Sequence, residues 1–222
     1  MESVQFVPLL IAILFNAAIL LPEVTVPIPS TNDDAFHYLY TQQADQAIAD
    51  GENPFDNWSP YLEIGFPQFF YYQHVPYIAV AVLYRLLFKQ VSLLTLFNLV
   101  RYILLVGLPV TVWWSMRTLG FSPFAAIAGA AFAPLISSNY LFGFEYNSYI
   151  WRGYGMYAQL WAMHFFFLAV ACLYRTLNRG THYTAAILTG AMVVLSDLMY
   201  AYIFGVTALA IFLLSFRRDT SS

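Results

Sequence analysis

Asp33 and Asp34 are adjacent carboxylates, and His37 follows four residues after Asp33, on the same face if the segment is helical. A carboxylate beside a second one holds its proton more tightly than usual, which suits a general base working near neutral pH. An imidazole one turn away can orient that base or share its proton. The same residues also read as a plain helix start. Thr31 or Ser30 can cap, Thr31 and Asp34 have capping-box spacing, and acids in a first turn favour the helix dipole. If Asp34 serves the cap, Asp33 is the freer group.

Further groups are candidates for substrate binding. Glu145 and Arg152 fall in an aromatic stretch, 143–155. Arg152 could clamp a phosphate with both arms of its guanidinium, or simply snorkel to an interface. Glu145 is a candidate second acid or divalent-metal ligand. His74 is a less defined candidate. Arg101 and Asp197 lie within apolar runs, where a charge at mid-bilayer costs about 2.5–3.5 kcal/mol, so each needs a partner or water. Whether they meet each other is not written in the sequence. The single cysteine, Cys172, lies in an apolar run as a packing residue, and no Cys/His spacing suggests zinc.

The elements that must position these groups are oily. Of 222 residues, 60% are apolar and 9% charged, and mean hydropathy is +0.64. That excludes a water-soluble globule, and a net charge of −3 excludes a nucleic-acid binder. Apolar runs occupy Val4–Leu21, Pro76–Phe88, Val91–Met116, Pro123–Phe142, Met156–Tyr174 and Tyr183–Phe216. About 20 helical residues cross a bilayer core. The last run is too long for one ordinary span, and Ser196-Asp197 is its natural break. The run Pro76–Phe88 is too short. These spacings predict an all-α integral-membrane bundle of about five to seven hydrophobic helices: a first span over 4–21, an acidic loop with juxtamembrane helices over 22–90, and the remaining spans over 91–216.

Charge sets the expected sides. Nine of the twelve carboxylates precede Arg85, the first basic residue. With Pro76–Phe88 as a juxtamembrane helix, Arg117, Arg175, Arg179, Arg217 and Arg218 all face one side, and basic residues favour the cytoplasm. The acidic loop, the stretch 143–155 and Asp197 then share the outer side. Within the loop, Phe36, Tyr40, Ala44 and Ile48 predict one face of an amphipathic helix on the membrane surface, stopped at Gly51. The aromatics between Phe55 and Tyr77 suit the headgroup level.

One apolar span, then Asp33-Asp34-Ala35-Phe36-His37, then Gly51, Pro54 and Trp58, Gly65-Phe66-Pro67, and Tyr72 through Pro76 to Tyr77, resembles the front half of a C-type (GT-C fold) membrane glycosyltransferase. Within that superfamily the chain is most similar to the bacterial YfhO-like and 6-pyruvoyl-tetrahydropterin-synthase-related membrane families, whose short motifs it matches loosely. Arg152-Gly153 resembles their Arg-Gly segment, although Gln159 stands where they usually carry an acid. The resemblance implies a sugar donor on a polyprenyl phosphate, a glycan, lipid or protein acceptor, and action at the outer face of a prokaryotic plasma membrane. It also implies that the Asp just after the first span is the general base, a role that Asp33 matches better than Asp34. Such proteins usually have more spans, so the chain is expected to be a fragment or a minimal member. The rival reading is a transporter subunit or scaffold, because buried charges and a broken last helix also mark transport paths.

Overall fold

A computed structural model describes residues 6–26, 34–60, 65–70, 72–133 and 157–219, with side chains as far as residue 215. Over these residues the chain is all-α, apart from one two-residue ladder. The helices are α1 (Val7–Ile19), α2 (Pro22–Thr25), α3 (Asp34–Asp50), α4 (Val75–Leu86), α5 (Leu93–Leu119), α6 (Pro123–Phe132), α7 (Tyr157–Arg179), α8 (Tyr183–Ser196) and α9 (Leu198–Asp219). Between α3 and α4, β1 (Trp58–Ser59) pairs antiparallel with β2 (Phe66–Pro67).

Local chemistry sets several ends. The Ser92 hydroxyl accepts from Thr95 N at 3.0 Å to open α5, and Ser122 accepts from Ala125 N at 3.2 Å to open α6. At the expected stop, Gly51 takes φ +73°, and Glu52 N reaches back to Ala47 O at 2.8 Å, closing the last turn of α3. The expected break also occurs: Asp197 is extended (φ −157°, ψ 128°) between α8 and α9.

Pairings along the helices fix their directions. Phe6 packs on Trp113 with ring centroids 5.5 Å apart, and the Tyr102 hydroxyl donates to Ala17 O at 2.9 Å, so α1 and α5 are antiparallel. Tyr157 stacks on Phe97 at 4.2 Å and His164 bonds Leu104 O at 2.8 Å, so α7 runs parallel to α5. Phe166 meets Tyr200, and Asn178 Nδ2 donates to Ser215 Oγ at 3.2 Å, so α9 runs parallel to α7. A methyl added at Gly190 would lie 3.1 Å from the Phe204 ring, which places α8 folded back along α9. The chain therefore leaves the bundle after α1 and re-enters at α5 by the same end, and α2 to α4 form a cap there.

Four segments are long and apolar enough to cross a membrane: Val7–Thr25, Leu93–Leu119, Tyr157–Arg179 and Leu198–Ser215. Three shorter apolar helices, α4, α6 and α8, accompany them. Leu10, Ile11, Leu14 and Phe15 on α1, Ile187 and Leu188 on α8, and Val206, Leu209, Leu213 and Leu214 on α9 face outward. Apolar helix faces left uncovered by protein suit a hydrocarbon surround.

There are two packed cores. The bundle core gathers Leu9, Leu20, Leu105, Leu108, Val112 and Met163 with their neighbours. The cap core gathers Ala44, Phe69, Tyr77, Val80, Phe97 and Tyr157. Helix α5 runs through both, and Arg101 sits between Phe97 of one and Leu105 of the other.

The inward face of α3 differs from its apolar pattern. Ala44 is buried and Tyr40 and Ile48 are half-buried, but Phe36 is 56% exposed. The buried stripe instead starts with Asp34 and His37 and continues through Thr41 to Ala44 and Ala47. Polar partners on α4 and α5 turn the helix to this register.

Candidate functional site

The site forms where the cap meets the bundle. Asp34 is the first residue of α3 and only 1% exposed. Its Oδ2 accepts a charge-assisted hydrogen bond from Arg101 Nη1. The other arm of the same guanidinium, Nη2, lies 2.7 Å from Glu23 Oε2 on α2. One arginine on α5 thus ties together the end of the first apolar segment and the start of the cap helix. The low-dielectric setting of this seam makes each pairing strong and each loss costly. The amino-terminal position of Asp34 adds the favourable field of the α3 dipole.

One turn along α3, His37 Nδ1 lies 2.7 Å from the Tyr77 hydroxyl, and the two rings stack at 5.7 Å and 10°. Tyr77 is wholly buried. Burial, and then the adjoining Tyr72 hydroxyl, push the Tyr77 hydroxyl well above the usual tyrosine range, so it keeps its proton at physiological pH. Tyr40, Tyr72 and Tyr157 complete an aromatic box around the imidazole, with ring centroids 6.5, 6.3 and 6.3 Å away. Thr41 Oγ1 donates to His37 O at 2.9 Å, anchoring that turn. An imidazole held between a phenol and a carboxylate-bearing turn can store or pass a proton at the mouth of the bundle.

Of the residues singled out by sequence, Asp34 and His37 come together on the buried stripe of α3. Asp33, Glu145 and Arg152 lie outside the described residues. His74 is half-buried, its ring against Phe55 at 5.1 Å and Phe69 at 6.2 Å. Burial lowers its pKa below the usual histidine value. Phe69 in turn stacks on Tyr77 at 5.8 Å, so His74 stands one ring behind the His37 pair. Asp197 Oδ1 accepts from Tyr200 N at 2.9 Å, capping α9. Among the described residues the carboxylates that hold Arg101 are Asp34 and Glu23, and Asp197 is not one of them. The other cap cations, Arg85 and Lys89 at the end of α4, reach Asp45 of α3 at 2.6 and 3.7 Å. Among the described residues no group of three His, Cys, Asp or Glu side chains is arranged to hold a metal ion.

Sequence reasoning missed Glu23, Tyr77 and Tyr157 as site residues and gave Arg101 no partner. One signal was present. An arginine inside an apolar run must find a carboxylate, and Glu23 stands just beyond the first apolar run, on α2. His164 was missed as well. It bridges α5 and α7 through Thr111 Oγ1 and Leu104 O, both at 2.8 Å, one turn before Pro109 interrupts the α5 ladder.

Comparison of the chain with protein-family models, with curated proteins and with solved structures gives no match.

Proposed function

We propose that the chain is a membrane glycosyltransferase of C-type architecture, moving a sugar from a polyprenyl-phosphate carrier to a glycan, lipid or protein acceptor. The observation that carries this reading is the Arg101–Asp34–Glu23 seam, with Arg101 and Asp34 buried and Glu23 half-buried, and the His37–Tyr77 pair beside it. It is a polar, proton-handling site built where an apolar bundle opens into its cap. Arg117, Arg175 and Arg179 lie on the helix ends away from the cap, and the basic pair Arg217 and Arg218 closes α9. Basic residues favour the cytoplasm, which supports reading the cap as the outer side; that the membrane is a prokaryotic plasma membrane is part of the proposal and follows the family resemblance.

In this reading Asp33 is the general base. It takes the proton of the acceptor hydroxyl as that oxygen bonds the anomeric carbon, and the carbon–oxygen bond to the lipid phosphate breaks. Asp34, bound by Arg101 at the start of α3, is the supporting acid next to it in sequence. His37 holds or shares the proton, and Arg152 binds the phosphate. Any divalent metal would call on Glu145. A transport reading rests on the break at Asp197, but that aspartate caps the following helix and so accounts for the break without a solute path.

Purified protein in proteoliposomes, given a radiolabelled polyprenyl-phosphate sugar, tests the proposal. The Asp33→Asn/Asp34→Asn double variant should lose transfer by about 100-fold or more. Undiminished transfer would sink the assignment.

A further inference from the structure

At the end of the bundle away from the cap, α1 and α6 lie side by side and border an apolar groove of about 540 Å³. Its shape comes from the α6 sequence. Phe124, Ala128, Ala131 and Phe132 line it at helical spacing, so two small side chains form a trough between two phenyl rings. The rings are 84% and 66% exposed, whereas Ile127 behind them is buried. Pro8 of α1 contributes to the other wall. Among the described lining residues the side-chain hydroxyl is that of Ser122, and it already caps α6 by accepting from Ala125 N. A polar ligand would lose its water in this trough without gaining hydrogen bonds, so the trough suits a hydrocarbon chain.

Length and charge narrow the choice of chain. The ten residues of α6 rise about 15 Å, about half of the ~30 Å hydrocarbon core. The groove therefore has the depth of one leaflet. At its surface end stands Arg117, in the last turn of α5. Its Nη1 donates at 2.5 Å to the main-chain O of Phe121, the residue before Ser122. A second cation joins that turn, because Arg175 Nε of α7 donates to Thr118 O. Each guanidinium spends an N–H on a main-chain carbonyl, and among the described residues neither has a carboxylate partner. A guanidinium with further donors at the headgroup level suits a phosphate.

We infer that the groove between α1 and α6 binds an anionic glycerophospholipid of the adjoining leaflet, one acyl chain lying over Ala128 and Ala131 and the phosphate meeting Arg117. A zwitterionic lipid fills the trough equally well but gains less from the cations at its head. A free phosphate ester has no chain to place in the trough. A second copy of the chain, docked in parallel through the same face, would set its own basic end against this one. The site lies at the opposite end of the bundle from the Asp34 seam and does not rest on the transfer chemistry proposed there. The lipid held in it is a bound component of the fold, and no bond in it is made or broken.

The test is native mass spectrometry of the full chain, released from detergent micelles that hold equal amounts of phosphatidylglycerol and phosphatidylcholine. Phosphatidylglycerol should be retained in preference. Arg117→Gln should lower that preference about fivefold, the worth of one surface arginine toward an anionic lipid. Arg117→Lys, which keeps the charge, should retain most of it. Ala128→Trp, which fills the trough, should reduce retention of both lipids at an unchanged melting temperature. Competitors separate the sources of phosphate: glycerol phosphate and a polyprenyl phosphate, each in excess, should leave the bound phosphatidylglycerol in place. Equal retention of the two lipids, a preference indifferent to Arg117→Gln, or retention indifferent to Ala128→Trp would each overturn the inference. So would displacement by either competitor, or a dimer of the chain that Ala128→Trp abolishes.

Discussion

At the scale of single residues, the seam makes Arg101 the side chain whose loss should hurt most. Replacing it with methionine leaves the buried Asp34 and the half-buried Glu23 without their shared cation, a cost of about 3–5 kcal/mol. Thermal melting in detergent should therefore fall sharply for Arg101→Met. It should recover in the triple variant Glu23→Gln/Asp34→Asn/Arg101→Met, which carries no charge to strand. Equal losses in the single and triple variants would mean that the pairing is not what Arg101 contributes. His74 makes a pH prediction. Its folded pKa is lowered, so the unfolded chain binds the proton more readily, and its share of stability is complete above the unfolded value near 6.5. That share is lost as pH falls through the lowered folded value. Melting temperature should drop on acidification below about pH 6.5, and His74→Phe should flatten the drop. A profile equally steep in the variant would contradict the assignment. That Asp34 and His37 share the buried stripe of α3 follows from their spacing, because residues three apart on a helix lie on one face. The partners that make the site, Arg101, Glu23 and Tyr77, come from other helices, and no local pattern encodes which of them will meet.

At the scale of elements, apolar run length and turn chemistry carried most of the information. The break at Asp197 and the stop at Gly51 could be seen in advance because a charge ends an apolar run and glycine closes a helix. The face of α3 could not. Its apolar period pointed to Phe36, but burial is decided by the polar bonds of Asp34 and His37 to neighbouring helices, and a hydrophobic pattern is blind to those. The aromatic run from Phe55 to Tyr77 likewise looks like surface anchoring throughout, yet Phe69 and Tyr77 turn inward to build the cap core while Trp58 and Phe70 stay outside. The cap on α9 is testable by itself. Asp197→Ala should cost about 0.5–2 kcal/mol, and Asp197→Asn, which still accepts the Tyr200 bond, should cost less. Equal destabilisation by both variants would show that the charge, and not the cap, matters at this position.

At the scale of the whole molecule, the alternating helices put the acidic cap at one end and Arg117, Arg175 and Arg179 at the other. The proposed sides follow from that separation. Cysteines introduced at Asn53 in the cap and at His182 between α7 and α8 should behave oppositely in intact cells. A membrane-impermeant maleimide should label the first and spare the second, and the reverse pattern would invert the orientation. The proposed function joins this frame to its chemistry, with Asp33 as the base next in sequence to the Arg101-bound Asp34. Comparing Asp33→Asn with Asp34→Asn for both transfer rate and melting temperature tests it most directly. The account predicts that Asp33→Asn loses transfer by about 100-fold or more at an unchanged melting temperature, while Asp34→Asn lowers the melting temperature by loosening the seam. An Asp33→Asn protein that transfers sugar at the wild-type rate would contradict it.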